Sequence, residues 1–318
     1  MHCRLLGRWT LIALQLCTMA GKKQPPQPPA PLFSAPSAGA VAPGGVGRAG
    51  EGPSALPQLN QLQLRQLAAW YAGVGEREAA DTFGDVVVRA ATAQLGKPYD
   101  ATLPHPHEER LQGRLDAFEC LTLVESSLSL ARCVWRGARQ TECFLRGLMA
   151  LRYRQGVVDG YASRLHYFED WLGDNAKRGL IKVISAELGG VFVSHPFFFM
   201  TRHPARYPAL SNAATRTAIG QAESRLAHTP MAVIPRELLK DVQATLQNGD
   251  IVGITSQTPG IFVRHTGFIA RDPEGIPHLL HASSLRGRVM LTREDLASYV
   301  LGQKDRRGVM VAQPVPPI

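Results

Sequence analysis

The 318 residues suffice to bury a large core in one or two domains. A hydrophobic share of 45% against 19% charged residues excludes a disordered or fibrous chain. A formal charge of +9 suits an acidic partner, but no basic run is interleaved with aromatics, which argues against nucleic acid.

In chain order, the first twenty residues read as an export signal. Arg4 and Arg8 form a positive start, and Trp9 to Met19 is apolar but too short to span a bilayer. Thr18-Met19-Ala20 fits a cleavage site after Ala20, which would leave a charge of +7. Retention of the segment as an anchor and lipidation at Cys17 stay open, although Leu14-Gln15-Leu16 lacks the small residues that lipoprotein processing prefers. An exported chain points to the periplasm or cell envelope. Residues 21–58 hold nine of the 23 prolines together with many Gly, Ala and Ser, the composition of a linker that cannot bury a core.

The folded part is expected from residue 59 to 318, helical over 59–179 and mainly β over 180–318. Helices are expected over Leu62 to Tyr71, Asp85 to Leu95 with Gly96 and Pro98 as its stop, Cys120 to about Val134, and Thr141 to about Arg154. Strands are expected at Leu180–Ile184, Val191–Val193, Phe197–Met200, Ile251–Ile254, Phe262–Ala270, His278–Ala282, Arg288–Leu291 and Gly308–Ala312. Further helices fall at Asn212–Arg225 and Arg293–Leu301. Helices followed by mostly antiparallel strands make an α+β chain.

Cys120 stands where a loop becomes a helix, with Leu121, Val124, Leu128 and Ala131 on one face. A thiol in the first helical turn meets unpaired N–H groups and the positive end of the helix dipole, which favours the thiolate. An ordinary buried cysteine fits this stretch equally well, so a partner elsewhere has to decide. His265 interrupts the apolar Val263-Arg-His-Thr-Gly-Phe268 and His281 interrupts Leu279-Leu-His-Ala-Ser-Ser284. One histidine can draw the thiol proton while the other fixes its tautomer. Tyr99, just before the loop to the cysteine, can donate to an oxyanion beside the Cys120 N–H, or simply pack. Cys133 and Cys143 bracket the turn at Arg136-Gly137. In an oxidising compartment they can pair and leave Cys120 free, or both can remain reduced and buried. Arg164, His166, Trp171 and Asn175 are candidates to line a substrate groove, or to cap and pack a helix end. The His105-Pro-His107-Glu-Glu109 run matches no zinc spacing and reads as a solvated loop, so no metal or other cofactor is expected.

With these pieces placed, the chain resembles the N-acetylmuramoyl-L-alanine amidase-like family, which is similar in core to the NlpC-type branch of papain-like cell-wall hydrolases. The matching segments are Leu95-Gly-Lys-Pro-Tyr99, Phe118-Glu-Cys-Leu-Thr-Leu-Val-Glu125, Arg164-Leu-His-Tyr-Phe-Glu-Asp-Trp171 with Asn175, and Phe199-Met-Thr-Arg-His-Pro204. They continue with Asn248-Gly-Asp-Ile-Val-Gly-Ile254, His265-Thr-Gly267 and His281-Ala-Ser-Ser284, which includes Ser283. The resemblance implies a helical half carrying the nucleophile Cys120, packed on a small curved sheet carrying the base His265 and the orienting His281. It also implies a thiol hydrolase acting on peptidoglycan, with Glu119, Arg164, Trp171, Asn175 and Ser283 toward the substrate. The chain departs from the family in Glu119, where Asp is usual, and in Arg264-His-Thr-Gly, where Ser-His-Val-Gly is usual. The bond cleaved is either the lactyl–L-Ala amide or a peptide bond of the stem. A catalytically silent wall-binding protein and a thiol acyltransferase are the other readings.

Overall fold

The structure, a computed structural model, describes residues 56–101 and 109–318. The expected signal segment, all but the end of the linker, and His105, His107 and Glu108 lie outside the described residues.

Helix starts follow local chemistry. The first helix, α1 (Gln61–Val74), begins with Asn60 and Gln63 exchanging side-chain and backbone bonds. Thr82 and Asp85 do the same for α2 (Phe83–Thr92). Next comes α3 (Cys120–Trp135), whose cap is the side chain of Glu119. The following α4 (Thr141–Arg152) starts after Gln140 with no side-chain cap, so Thr141 lies inside it. A disulfide joins Cys133 on α3 to Cys143 on α4, with Cα atoms 6.0 Å apart. Then come α5 (Phe168–Lys177) and the strands β1 (Ile181–Val183) and β2 (Val191–Val193).

Phe197 to Met200 is not the expected strand; it leads into a short helix, α6 (Phe199–Arg202). Pro196 removes a strand donor, and the buried carboxylate of Glu223 collects the Met200 and Thr201 amides at 3.0 and 3.2 Å. Glu223 belongs to α7 (Ala213–Ala227). The strand β3 (Met231–Pro235), which sequence patterning passed over, follows. Its short apolar run ends in a proline, which reads as loop until the neighbouring strands are known. After α8 (Leu239–Val242) come β4 (Ile251–Ser256), β5 (Val263–Arg271), β6 (Pro277–Ser283) and β7 (Arg288–Asp295). The chain closes with α9 (Leu296–Leu301) and β8 (Arg306–Pro314).

The strands form one antiparallel sheet in the order β2-β3-β8-β4-β5-β6-β7, with β1 on β8. The chain is therefore α+β. Both faces of the sheet are covered, so its residues alternate between two cores. Phe268, Leu280 and Met310 join α2 to α5 on one side, while Ile269, Leu279 and Val309 join α8 and α9 on the other. Gly253 is required by this packing, because a Cβ there would lie 2.2 Å from the Phe168 ring of α5. Among the described residues no helix is long and apolar enough to cross a membrane.

Candidate active site

Cys120, the free cysteine among the described residues, opens α3 beside a cleft of about 310 Å³. The backbone amides of Leu121 and Thr266 act on the sulfur in the direction that favours its charged form. Thr266 is the neighbour of His265 on β5, and His265 lines the same cleft. His265 Nε2 stands 2.5 Å from Nδ1 of His281 on β6, with the rings at 85°. The Gly267 position explains this approach. Continuing the β5–β6 register by one residue sets Gly267 opposite His281, and a Cβ on Gly267 would come within 2.9 Å of the His281 Cβ. A glycine two residues after His265 leaves room for the second histidine. Because Nε2 of His265 is engaged, Nδ1 is the nitrogen left for another partner.

The electrostatics differ from the helix-start expectation. Burial pushes the Cys120 thiol well up, reinforced by the charge of Glu119 and by its Oε2, 3.4 Å from Sγ. The Glu119 carboxylate accepts from the Leu121 and Thr122 amides at 3.0 and 2.7 Å. It thereby takes up the donors whose positive field was expected to favour the thiolate. The Cys120 N–H is the first-turn amide that Glu119 leaves. Burial, then His281 and Arg306, lower His265 to about 3; burial and Arg306 lower His281 to about 4. Both partners are neutral in the resting site. Arg264 is exposed and is not among the causes of the His265 shift.

Tyr99 is fixed by its N–H to the Gly287 carbonyl at 2.8 Å and by a bridge to Phe118. Its phenol is pushed up to about 12, first by burial and then by negative charge at Cys120 and Glu119. Its hydroxyl therefore keeps its proton, but Tyr99 is not among the residues that line the Cys120 cleft.

The substrate-side candidates divide. Glu119 and Arg164 line the Cys120 cleft, and Arg164 is clamped by the fully buried Glu109 at 2.6 and 3.0 Å. Trp171 and Asn175 do not line the cleft: both are wholly buried. Their helical spacing turns them into the core, where Trp171 stacks on Phe168 and Asn175 Nδ2 binds the carbonyls of Leu151 and Trp171. Ser283 lies outside the Cys120 cleft and lines a second one beside His281, its Oγ accepting from the Arg286 N–H at 3.2 Å. Sequence reasoning missed the Thr266 amide, Arg306 and the Glu109 clamp. Glu109 was visible only as the last residue of the His105–Glu109 run. Among the described residues no group of three or more His, Cys, Asp or Glu is arranged to hold a metal ion.

A chain that folds helices and an antiparallel sheet around a thiol and two histidines has the make-up of a hydrolase. The family model for N-acetylmuramoyl-L-alanine amidase-like proteins matches residues 89–309, and the chain belongs to that family. An N-acetylmuramoyl-L-alanine amidase from Bacteroides uniformis superposes with a TM-score of 0.69 at 27% identity, over 73% of this chain and 99% of its own. A Bacteroides fragilis protein described as a candidate xylanase is 32% identical, with a TM-score of 0.66 over 70% of this chain and 98% of its own. A Legionella pneumophila protein shares the fold at 19% identity, with a TM-score of 0.61 over 80% and 95% of the two chains. None of the curated proteins matches the chain. The family supports an amidase-like hydrolytic role on peptidoglycan.

Proposed function

We propose that the chain is an exported cysteine amidase that cleaves the lactyl–L-Ala amide of peptidoglycan on a papain-like, NlpC-type core. The observation that carries the reading is the seam at β5. Cys120, Thr266 and the adjacent His265, backed by His281 at 2.5 Å, meet there, the first three lining one cleft. The domain plan is a signal over 1–20, a tether over 21–58 and one catalytic domain over 59–318.

Because thiol and imidazole are both neutral at rest, the proton moves when substrate is bound. Nδ1 of His265 takes the thiol proton as sulfur forms a bond to the amide carbon. The Cys120 N–H and the Tyr99 hydroxyl donate to the oxygen that gains charge. Collapse breaks the C–N bond, and His265 returns the proton to the leaving amine. Water, deprotonated by the same imidazole, then releases the acid and restores the thiol. His281 holds the tautomer of His265 throughout.

A glycosidase reading, suggested by the xylanase description of one similar structure, finds little support in the cleft. Glycoside cleavage needs two free carboxyl groups across the bond, whereas Glu119 caps α3 and Glu125 is buried against Arg152 at 2.7 Å.

The test is mass spectrometry of fragments released from purified sacculi. Free lactyl carboxylates and peptides starting with L-Ala are expected from the wild type and not from Cys120→Ala. Cleaved stem peptides would assign an endopeptidase instead. Equal release by wild type and Cys120→Ala would overturn the thiol mechanism.

A further inference from the structure

Behind the histidine pair lies a second cleft, of about 670 Å³, floored by β4 to β7 and walled by α9. Five arginines line it, Arg264, Arg286, Arg288, Arg293 and Arg306, against two acids, Glu294 and Asp305. Neither acid pairs with any of these arginines within 4 Å, and the side chains of Arg264, Arg286, Arg288 and Arg293 carry no ion pair or hydrogen bond among the described residues. Arg306 is half-buried, stacked over Tyr299 at 3.9 Å and bonded to the Tyr299 carbonyl, so its charge meets no carboxylate either. Arg264, Arg286, Arg288 and Arg293 are exposed, and guanidinium groups gathered along one concave wall are placed to be bridged by an anion. A second observation points the same way. His281 is 1% exposed, lines this cleft, and its Nε2 has no hydrogen-bond partner.

The two clefts are neighbours: Arg264 and His265 line both. A chain lying over Cys120 would reach the arginine wall by passing the exposed Arg264. Guanidinium groups pair with carboxylates through two parallel N–H bonds, which fixes orientation as well as charge. We propose that the second cleft is a carboxylate-binding subsite that receives the anionic stem peptide while the scissile amide lies at Cys120, an inference that rests on the peptidoglycan reading above.

Binding is measured by titration calorimetry on the Cys120→Ala protein, using a muramyl tripeptide with free carboxylates and the same compound with its carboxylates amidated. The free acid is expected to bind at least about tenfold tighter, the value of one charge-assisted hydrogen bond. Arg286→Gln combined with Arg288→Gln is expected to erase that preference, and the Arg286→Lys, Arg288→Lys pair to restore part of it. Equal affinity for the two ligands, or no binding of either, overturns the subsite. The activity of the wild-type protein separates this from the function itself. Equal hydrolysis of both compounds would sink the subsite and leave the amidase standing. Carboxylate-selective binding without hydrolysis would do the reverse.

Discussion

Replacing Glu119 with glutamine removes a negative charge 3.4 Å from the Cys120 sulfur while keeping a carbonyl oxygen for the helix cap. The carboxylate opposes the thiolate, so its loss must lower the thiol pKa and move the onset of reactivity to lower pH. Two unit charges 4 Å apart interact by about 1 kcal/mol in water and about 4 kcal/mol at an effective dielectric of 20. Glu119 is half-buried, so the lower part of that range applies, which corresponds to about a tenfold gain in thiolate at neutral pH. Weakening the cap works against this by costing about 1 kcal/mol of helix stability at most, a change in folding and not in thiol chemistry. The assay is the rate of iodoacetamide alkylation of Cys120 from pH 6 to 11, with thermal unfolding as the control. Cys120 is the free thiol among the described residues, so protein prepared without residues 1–20, and thus without Cys3 and Cys17, reports on it directly. An alkylation midpoint that stays in place or rises in Glu119→Gln would refute the account of the raised thiol.

Further outcomes follow from other contacts. Gly267→Ala puts a Cβ 2.6 Å from the Leu280 carbonyl and 2.9 Å from the His281 Cβ. It is expected to cost about 1–3 kcal/mol in unfolding and to reduce sacculus cleavage at least tenfold; full activity would show that the spacing of the histidine pair is immaterial. Reducing the Cys133–Cys143 bridge, or replacing both with serine, should lower stability by about 2–4 kcal/mol. Denaturant unfolding with and without reductant reads this out, and coincident curves would contradict it. Arg164→Ala removes the charge partner of the buried Glu109 carboxylate and leaves it the Tyr153 hydroxyl at 2.6 Å. A loss of about 3–5 kcal/mol is expected, largely rescued by a second Glu109→Gln change. Burial raises Glu169 to about 7 although it accepts the Val263 N–H. The folded state thus holds a proton that the unfolded chain releases near the ordinary carboxylate range, so this contribution is complete below about pH 4 and lost as pH rises through 7. Glu169→Gln should flatten that slope in stability measured from pH 4 to 8.

Much of the helical half could be read from local signals, because caps and stops act over a few residues. Asn60 with Gln63, Thr82 with Asp85 and the loop before Cys120 set helix starts without help from the rest of the chain. The α5 aromatic segment shows the limit. Its residues were visible as a group, but which of Arg164, Trp171 and Asn175 faces the cleft depends on how α5 meets α4 and β4. The same holds for β3 and for Phe197–Met200, where Pro235, Pro196 and the distant Glu223 decide between strand and helix.

By itself the sequence determined the α+β plan, the helix-start position of Cys120 and the two strand histidines, all of which depend on periodicity and neighbours close in the chain. Only the tertiary structure decided the charge state of the site. A sulfur at a helix start was expected to be acidic. Burial and the Glu119 carboxylate make it the opposite, and Arg306, fixed on β8, lowers both histidines from outside the motif. Desolvation and Coulomb energies depend on distances between residues far apart in sequence, and those distances exist only once the sheet has closed around the helix.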